Sequence, residues 1–128
     1  MQSNYRILVV EDDNNSRASL KMMLNEIGFN NLFEAEDGDE AVDIMNKEIM
    51  NMDLVISDWN MPNLSGLEFL QKLRLSNPTL PFIMITGRSD ANSLQEALTA
   101  GVSGYIRKPF SLAELESKLK FMQKLQAL

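Results

Sequence analysis

Hydrophobic positions along this chain follow two alternating periods. Short apolar runs lie at 6–10 (RILVV), 32–35 (LFEA), 53–57 (DLVIS), 82–86 (FIMIT) and 103–107 (SGYIR), and their length and β-branched content predict strands. Between them the spacing turns helical. Leu20, Met23, Leu24 and Ile27 recur at i, i+3, i+4 and i+7, and Gly28 supplies a stop. Ala41, Val42, Ile44, Met45 and Ile49 predict a second helix after the Asp37-Gly38 turn. Leu67, Leu70 and Leu73 predict a third, ended by Asn77-Pro78. A fourth runs through Leu94, Ala97 and Leu98 to Gly101. The fifth opens on the capping box Ser111-Leu-Ala-Glu114 and continues through Leu115, Leu119 and Met122.

Strands alternating with helices predict an α/β fold, and the arrangement of the apolar residues says which kind. Ile7–Val10, Leu54–Ile56 and Phe82–Ile85 are apolar without alternation. Such runs belong to strands covered by helices on both faces. The expected architecture is a doubly wound parallel sheet of five strands with five helices. No linker, low-complexity segment or close repeat interrupts the chain, so residues 1–128 read as one domain. Its end at Leu128 favours a stand-alone protein over a fragment.

Composition narrows the chemistry. A net charge of −6 argues against nucleic-acid binding, which needs a basic face. No apolar run approaches the length of a membrane span and no signal-peptide pattern opens the chain, so a cytoplasmic location is expected. There is no Cys and no His. Thiolate chemistry, disulfides and the commonest general base are thereby excluded, which leaves carboxylates, hydroxyls and amines.

In doubly wound sheets ligands bind outside the carboxyl ends of the strands. The residues there are Asp12 and Asp13 after the first strand, Asp58 after the third, Thr86 after the fourth and Lys108 after the fifth. Each alone reads as a turn former, a helix cap or a surface charge. Their shared edge is what those readings do not predict. Carboxylates placed side by side repel one another, and a hard divalent cation such as Mg²⁺ offsets that repulsion. With the cation, an amine and a hydroxyl around a phosphoryl group, a carboxylate can attack phosphorus, so the set fits formation of an aspartyl phosphate.

These landmarks carry a resemblance. "EDD", "DWNMPNLSG", "TG" and "YIRKPF" follow the strands in the order and spacing of the receiver domains of two-component response regulators. The segments "GFNN", "EAEDG", "VISDWNMPN", "GLE" and "AGVSGYIRKPF" resemble the single-domain chemotaxis regulators of that family most. The resemblance implies the flavodoxin-like strand order 2-1-3-4-5. It implies that Asp58 accepts a phosphoryl group from a partner histidine kinase. Asp13, Asp58 and the backbone carbonyl of Asn60 would hold Mg²⁺, with Asp12 contacting it through water. Lys108 would pair with Asp58 or the phosphoryl group, Thr86 would bond a phosphoryl oxygen, and Tyr105 would turn inward. Lys108-Pro109 would be cis. The output surface would be helix four, strand five and helix five, with the flagellar switch as its partner in chemotaxis and a phosphatase as a further partner. The protein would be a monomer and a phosphoacceptor rather than an enzyme.

Two departures from the family pattern matter. Gly87 stands where Ala is usual, and "RSDANSLQ" at the start of helix four has Arg88 but no Lys, which weakens the flagellar-switch assignment. Asn60 lies two residues after Asp58 and Arg88 two after Thr86, so both are expected to flank water's route to phosphorus and to tune phosphoryl lifetime. Three other readings stay open. A flavodoxin-like cofactor carrier would be repelled by the acids after strand one. An aspartyl phosphatase would want an acid where Asn60 stands. The chain could also be the receiver half of a longer regulator.

Overall fold

The computed structural model describes residues 4–47, 52–88 and 90–127. The strands are β1 (Arg6–Val10), β2 (Asn31–Ala35), β3 (Leu54–Asp58), β4 (Phe82–Thr86) and β5 (Gly104–Arg107). The helices are α1 (Asn14–Ile27), α2 (Gly38–Lys47), α3 (Gly66–Ser76), α4 (Ala91–Ala100) and α5 (Leu112–Ala127). All strand pairs are parallel, in the order β2-β1-β3-β4-β5. This is the doubly wound sheet that the periodicity predicts, in the order that the resemblance implied. Ile49, assigned from spacing to the second helix, lies outside the described residues.

The unbroken apolar strands divide by parity between two cores. Ile7 and Val9 of β1, Leu54 and Ile56 of β3, and Ile83 and Ile85 of β4 pack with Leu20 and Leu24 of α1 and Leu115, Leu119 and Met122 of α5. Leu8, Val10, Val55, Phe82 and Met84 pack on the other side with Ala41 of α2, Phe69, Leu70 and Leu73 of α3, and Ala97 of α4. A strand covered on both faces has no polar side, which is why alternation is missing from the sequence.

Local chemistry sets the helix ends. Gly28 and Gly101 close α1 and α4 with φ of 119° and 96°, a left-handed conformation that costs a side chain dearly. The predicted capping box at Ser111 and Glu114 forms in both directions, and a second joins Ser65 and Glu68 at α3.

Two expectations need correction. β3 runs from Leu54 to Asp58 rather than 53–57, so Asp58 is the last paired residue of the strand, opposite Ile85. Asp53 sits just before it, its carboxylate accepting from the Arg6 N–H at 2.8 Å. The apolar stripe of α4 is also rotated. Ser93 and Ala97 are buried, while Leu94 and Leu98 are 41% and 54% exposed. Small side chains let α4 lie close to its neighbours, and the two leucines are left facing outward.

Candidate functional site

Strand parity decides which side chains meet at the carboxyl edge of the sheet. Continuing β1 past Ile7 and Val9 brings the next residue on that face to Glu11. The same count in β3, past Leu54 and Ile56, reaches Asp58, and in β5, past Ile106, it reaches Lys108. All three therefore rise on the α1–α5 side. The Glu11 N–H donates to the Ala35 carbonyl at 3.1 Å, which extends the β1–β2 pairing by one step and leaves the residue 6% exposed. Asp58 is buried as well. Lys108 bridges them, with Nζ 3.2 Å from Asp58 Oδ1 and 3.4 Å from Glu11 Oε1. The Lys108-Pro109 peptide is cis.

The acidic set differs from the expected one. Glu11, Asp12 and Asp58 bring one carboxylate oxygen each within 4.8 Å of one another. Asp13 is committed elsewhere. It is the N-cap of α1, its Oδ2 accepting from the Ser16 N–H at 2.7 Å. The structure thus places Asp13, expected as a metal ligand, at the helix cap and outside the three converging carboxylates. The chain turns out of the sheet after Glu11, and by the third acid the backbone already starts the helix. The parity of β1, counted from Ile7, is the sequence signal that reaches Glu11.

Electrostatics follow this placement. Burial, reinforced by the nearby Asp58 charge, raises the Glu11 pKa above its ordinary 4.5 against the pull of the Asp13 N–H and Lys108. Burial also works against the Lys108 charge, but Asp58 and Glu11 together outweigh it and hold the ammonium above its usual value. The Ser16 N–H lowers the Asp13 pKa, as a helix cap should. Three hard oxygen donors around an excess of negative charge suit a divalent cation of the Mg²⁺ type.

The opposite parity brings the remaining residues together. Thr86 follows Met84 on the α2–α4 side, fully buried, and its Oγ1 accepts from the Arg88 N–H at 2.9 Å. Tyr105 packs against the same core and its hydroxyl donates to the Arg88 carbonyl at 3.1 Å. Arg88 Nη2 donates to Asn60 Oδ1 at 3.1 Å, and its guanidinium carbon lies 4.8 Å from the centroid of the Trp59 ring. Thus every residue singled out in the sequence except Asp13 lies in one of two adjoining groups, and Glu11 joins them. Gly66, which closes the "DWNMPNLSG" motif, packs its bare Cα on the backbone of Asp58 and Trp59. A groove lined by Glu11, Ser16, Leu20, Met23, Lys108 and Phe110 leads from α1 to the acids. Among the described residues no helix is long and apolar enough to cross a membrane.

Comparison with known proteins gives the same picture. The chemotaxis protein CheY-3 of Vibrio cholerae is 40% identical over 121 residues, covering 93% of this chain and 92% of the relative. The chemotaxis protein CheY of Pseudomonas aeruginosa is 35% identical over 117 residues, covering 90% and 93%. Among solved structures, a CheY-like receiver domain protein from Methanospirillum hungatei superposes with a TM-score of 0.87 at 28% identity, over 98% of both chains. The response regulator TrrA of Thermotoga maritima, solved in complex with Mg²⁺ and BeF, does so at 0.82 and 36% identity, over 92% of this chain and 98% of that one. The profile of the response regulator receiver domain matches residues 7–120, and with relatives this similar over nine-tenths of its length the chain belongs to that family.

Proposed function

We propose that this receiver accepts a phosphoryl group on Asp58 from a histidine kinase, with Mg²⁺, and that the modification switches partner binding. The observation that carries the reading is the position of the Lys108 ammonium, 3.2 Å from a buried Asp58 oxygen beside two further carboxylates. Glu11, Asp12 and Asp58, with the Asn60 carbonyl, would hold the cation, whose charge supplies stabilisation to phosphoryl oxygens. The Asp58 carboxylate forms a P–O bond while the P–N bond to the donor imidazole breaks, and the electron pair returns to the imidazole. Lys108 offers its protons to the transferring group and Thr86 its hydroxyl hydrogen, whose oxygen already accepts from Arg88. The groove beside α1 is the approach route for the donor protein. The chain is a phosphoacceptor with self-phosphorylating and self-dephosphorylating chemistry rather than a turnover enzyme.

The output face is α4, β5 and α5, where Leu94, Leu98 and Phe121 are exposed and Phe121 lines a groove with Tyr105. Chemotaxis is the pathway suggested by the relatives' names, with the flagellar switch as the candidate partner. The apolar, Lys-free α4 points to a contact made by shape and apolar area more than by charge.

The direct test is acetyl phosphate labelling with Mg²⁺ and with chelator. Labelling is expected only with Mg²⁺, and absence of any phosphorylated species would overturn the reading. The same assay separates the acids. Asp12→Asn is expected to lower Mg²⁺ affinity about tenfold or more, the equivalent of about 1.4 kcal/mol. Asp13→Ala should leave Mg²⁺ affinity nearly unchanged and lower Tm modestly, because it removes only a helix cap. Equal Mg²⁺ defects in the two variants would return Asp13 to the metal site.

Lifetime is tuned by Asn60 and Arg88, which meet at the mouth of the site. Arg88→Ala is expected to shorten phosphoryl lifetime severalfold by opening water's path, with Mg²⁺ affinity preserved. Phosphate release at saturating Mg²⁺ measures it, and an equal or longer lifetime speaks against the role.

A further inference from the structure

The peptide that joins Glu11 to Asp12 lies where the β1–β2 ladder runs out. In a parallel pair, a residue that donates to its neighbour strand also accepts from it. The Glu11 N–H donates to the Ala35 carbonyl, but β2 ends at Ala35, before the residue that would return a bond to the Glu11 carbonyl. Arg17 supplies that bond instead, its Nη1 donating to the Glu11 carbonyl at 2.7 Å. The same guanidinium is anchored on two other sides. Its Nε donates to Glu34 Oε1 of β2 at 3.0 Å and its Nη2 to Asn14 Oδ1 at 2.7 Å. The side chain is only 13% exposed. Arg17 stands near the N-terminus of α1, where the helix dipole disfavours a cation, so local preference does not account for it.

We infer that Arg17 is a positioning residue for the metal site: by holding the Glu11 carbonyl against β2, it sets the direction in which the Asp12 carboxylate meets Glu11 and Asp58. The inference rests on the proposed binding of Mg²⁺ by those three acids. Glu11 and Asp58 are carried by paired strands, whereas Asp12 is exposed and lies between the strand and the Asp13 cap of α1. A peptide is planar, so fixing the Glu11 carbonyl fixes the plane from which Asp12 departs. The Asp13 N–H, donating to Glu11 Oε2 at 3.1 Å, holds the far side of the turn. Arg17 acts on the cation in two opposed ways. Its charge repels a dication, while its grip aims a ligand. The charge is already matched by Glu34 at 3.0 Å and Glu36 at 3.9 Å, so little of it is felt at the acids. The grip therefore dominates, and the sign of the effect tells the two apart.

Mg²⁺ titrations of the unphosphorylated protein, followed by emission of its one Trp, test this, with a thermal melt of each variant. Arg17→Ala is expected to weaken Mg²⁺ binding about tenfold, as loss of a partner behind a metal ligand does. Arg17→Lys keeps the charge but lacks the planar fork that reaches Glu34, Asn14 and the Glu11 carbonyl together, so it should not restore binding. Lys21→Ala removes the other cation on Glu34, at 2.7 Å, and leaves the Glu11 carbonyl held; it should not weaken Mg²⁺ binding. Equal or tighter binding in Arg17→Ala, with or without a lower Tm, overturns the inference. So does full affinity in Arg17→Lys, which decides the matter alone if Arg17→Ala does not fold, and so does an equal loss in Lys21→Ala. These failures leave the metal site itself standing. A wild type that binds no Mg²⁺ overturns both.

Discussion

Asp58→Asn is expected to abolish labelling by acetyl phosphate while the protein stays folded. Asn has the shape of Asp but no oxygen anion to attack phosphorus. The substitution removes one partner of Lys108, whose ammonium keeps Glu11 at 3.4 Å. It also removes a negative charge that raises the Glu11 pKa. The pair is partly open to water and the two effects oppose one another, so the net change in stability should stay within about 1 kcal/mol. The pH dependence should change as well. In the wild type the native state binds the Glu11 proton more tightly than the unfolded chain does. Stability is therefore lost as pH rises from the ordinary 4.5 through the raised native value. With Asn at position 58 this loss should shrink. Intact-mass labelling and thermal melts across that range check both halves, and retained, hydroxylamine-sensitive label on the variant would remove Asp58 as the acceptor.

Gly66→Ala is expected to be strongly destabilising, because among the described glycines that position leaves a Cβ the least room. Gly66 opens α3, and its N–H donates to the Trp59 carbonyl at 2.8 Å. A Cβ there would overlap the Asp58 carbonyl oxygen and come within 3.0 Å of the Trp59 Cα. These are backbone atoms of a central strand, paired through Ser57 to Val10 on one side and through Asp58 to Ile85 on the other. They cannot swing aside as the end of a flexible side chain could. Overpacking of this kind costs about 3 kcal/mol, or about 10 °C in Tm for a domain of this size. The displaced atoms also carry the acceptor, and a misplacement of about 1 Å can cost about 100-fold in rate. Gly87→Ala is the control, because nothing lies within 4 Å of the added methyl. A melt and a labelling time course on both variants decide the matter: an unchanged Tm in Gly66→Ala contradicts the packing argument.

The sequence alone determined what depends on near neighbours. Apolar runs of strand length, helical spacing, Gly28 and Gly101 at helix ends and the Ser111 capping box each express a preference acting over a few residues. That was enough for the element order and the parallel doubly wound class, and for the set of strand ends where chemistry gathers. Asp58, Thr86 and Lys108 were legible because chain order places each at such an end. Tertiary structure decided what depends on direction. Glu11 enters the acidic group and Asp13 leaves it because one further step of pairing with Ala35 keeps Glu11 in the sheet, after which the backbone turns into α1. Leu94 and Leu98 face outward because Ser93 and Ala97 are small enough for α4 to pack closely. Arg88 reaches Trp59, Asn60, Thr86 and Tyr105 because β3, β4 and β5 end side by side. A strand residue flips face with every step, so a one-residue difference in where the strand ends reassigns its side chains, and pairing with neighbours distant in sequence sets that end.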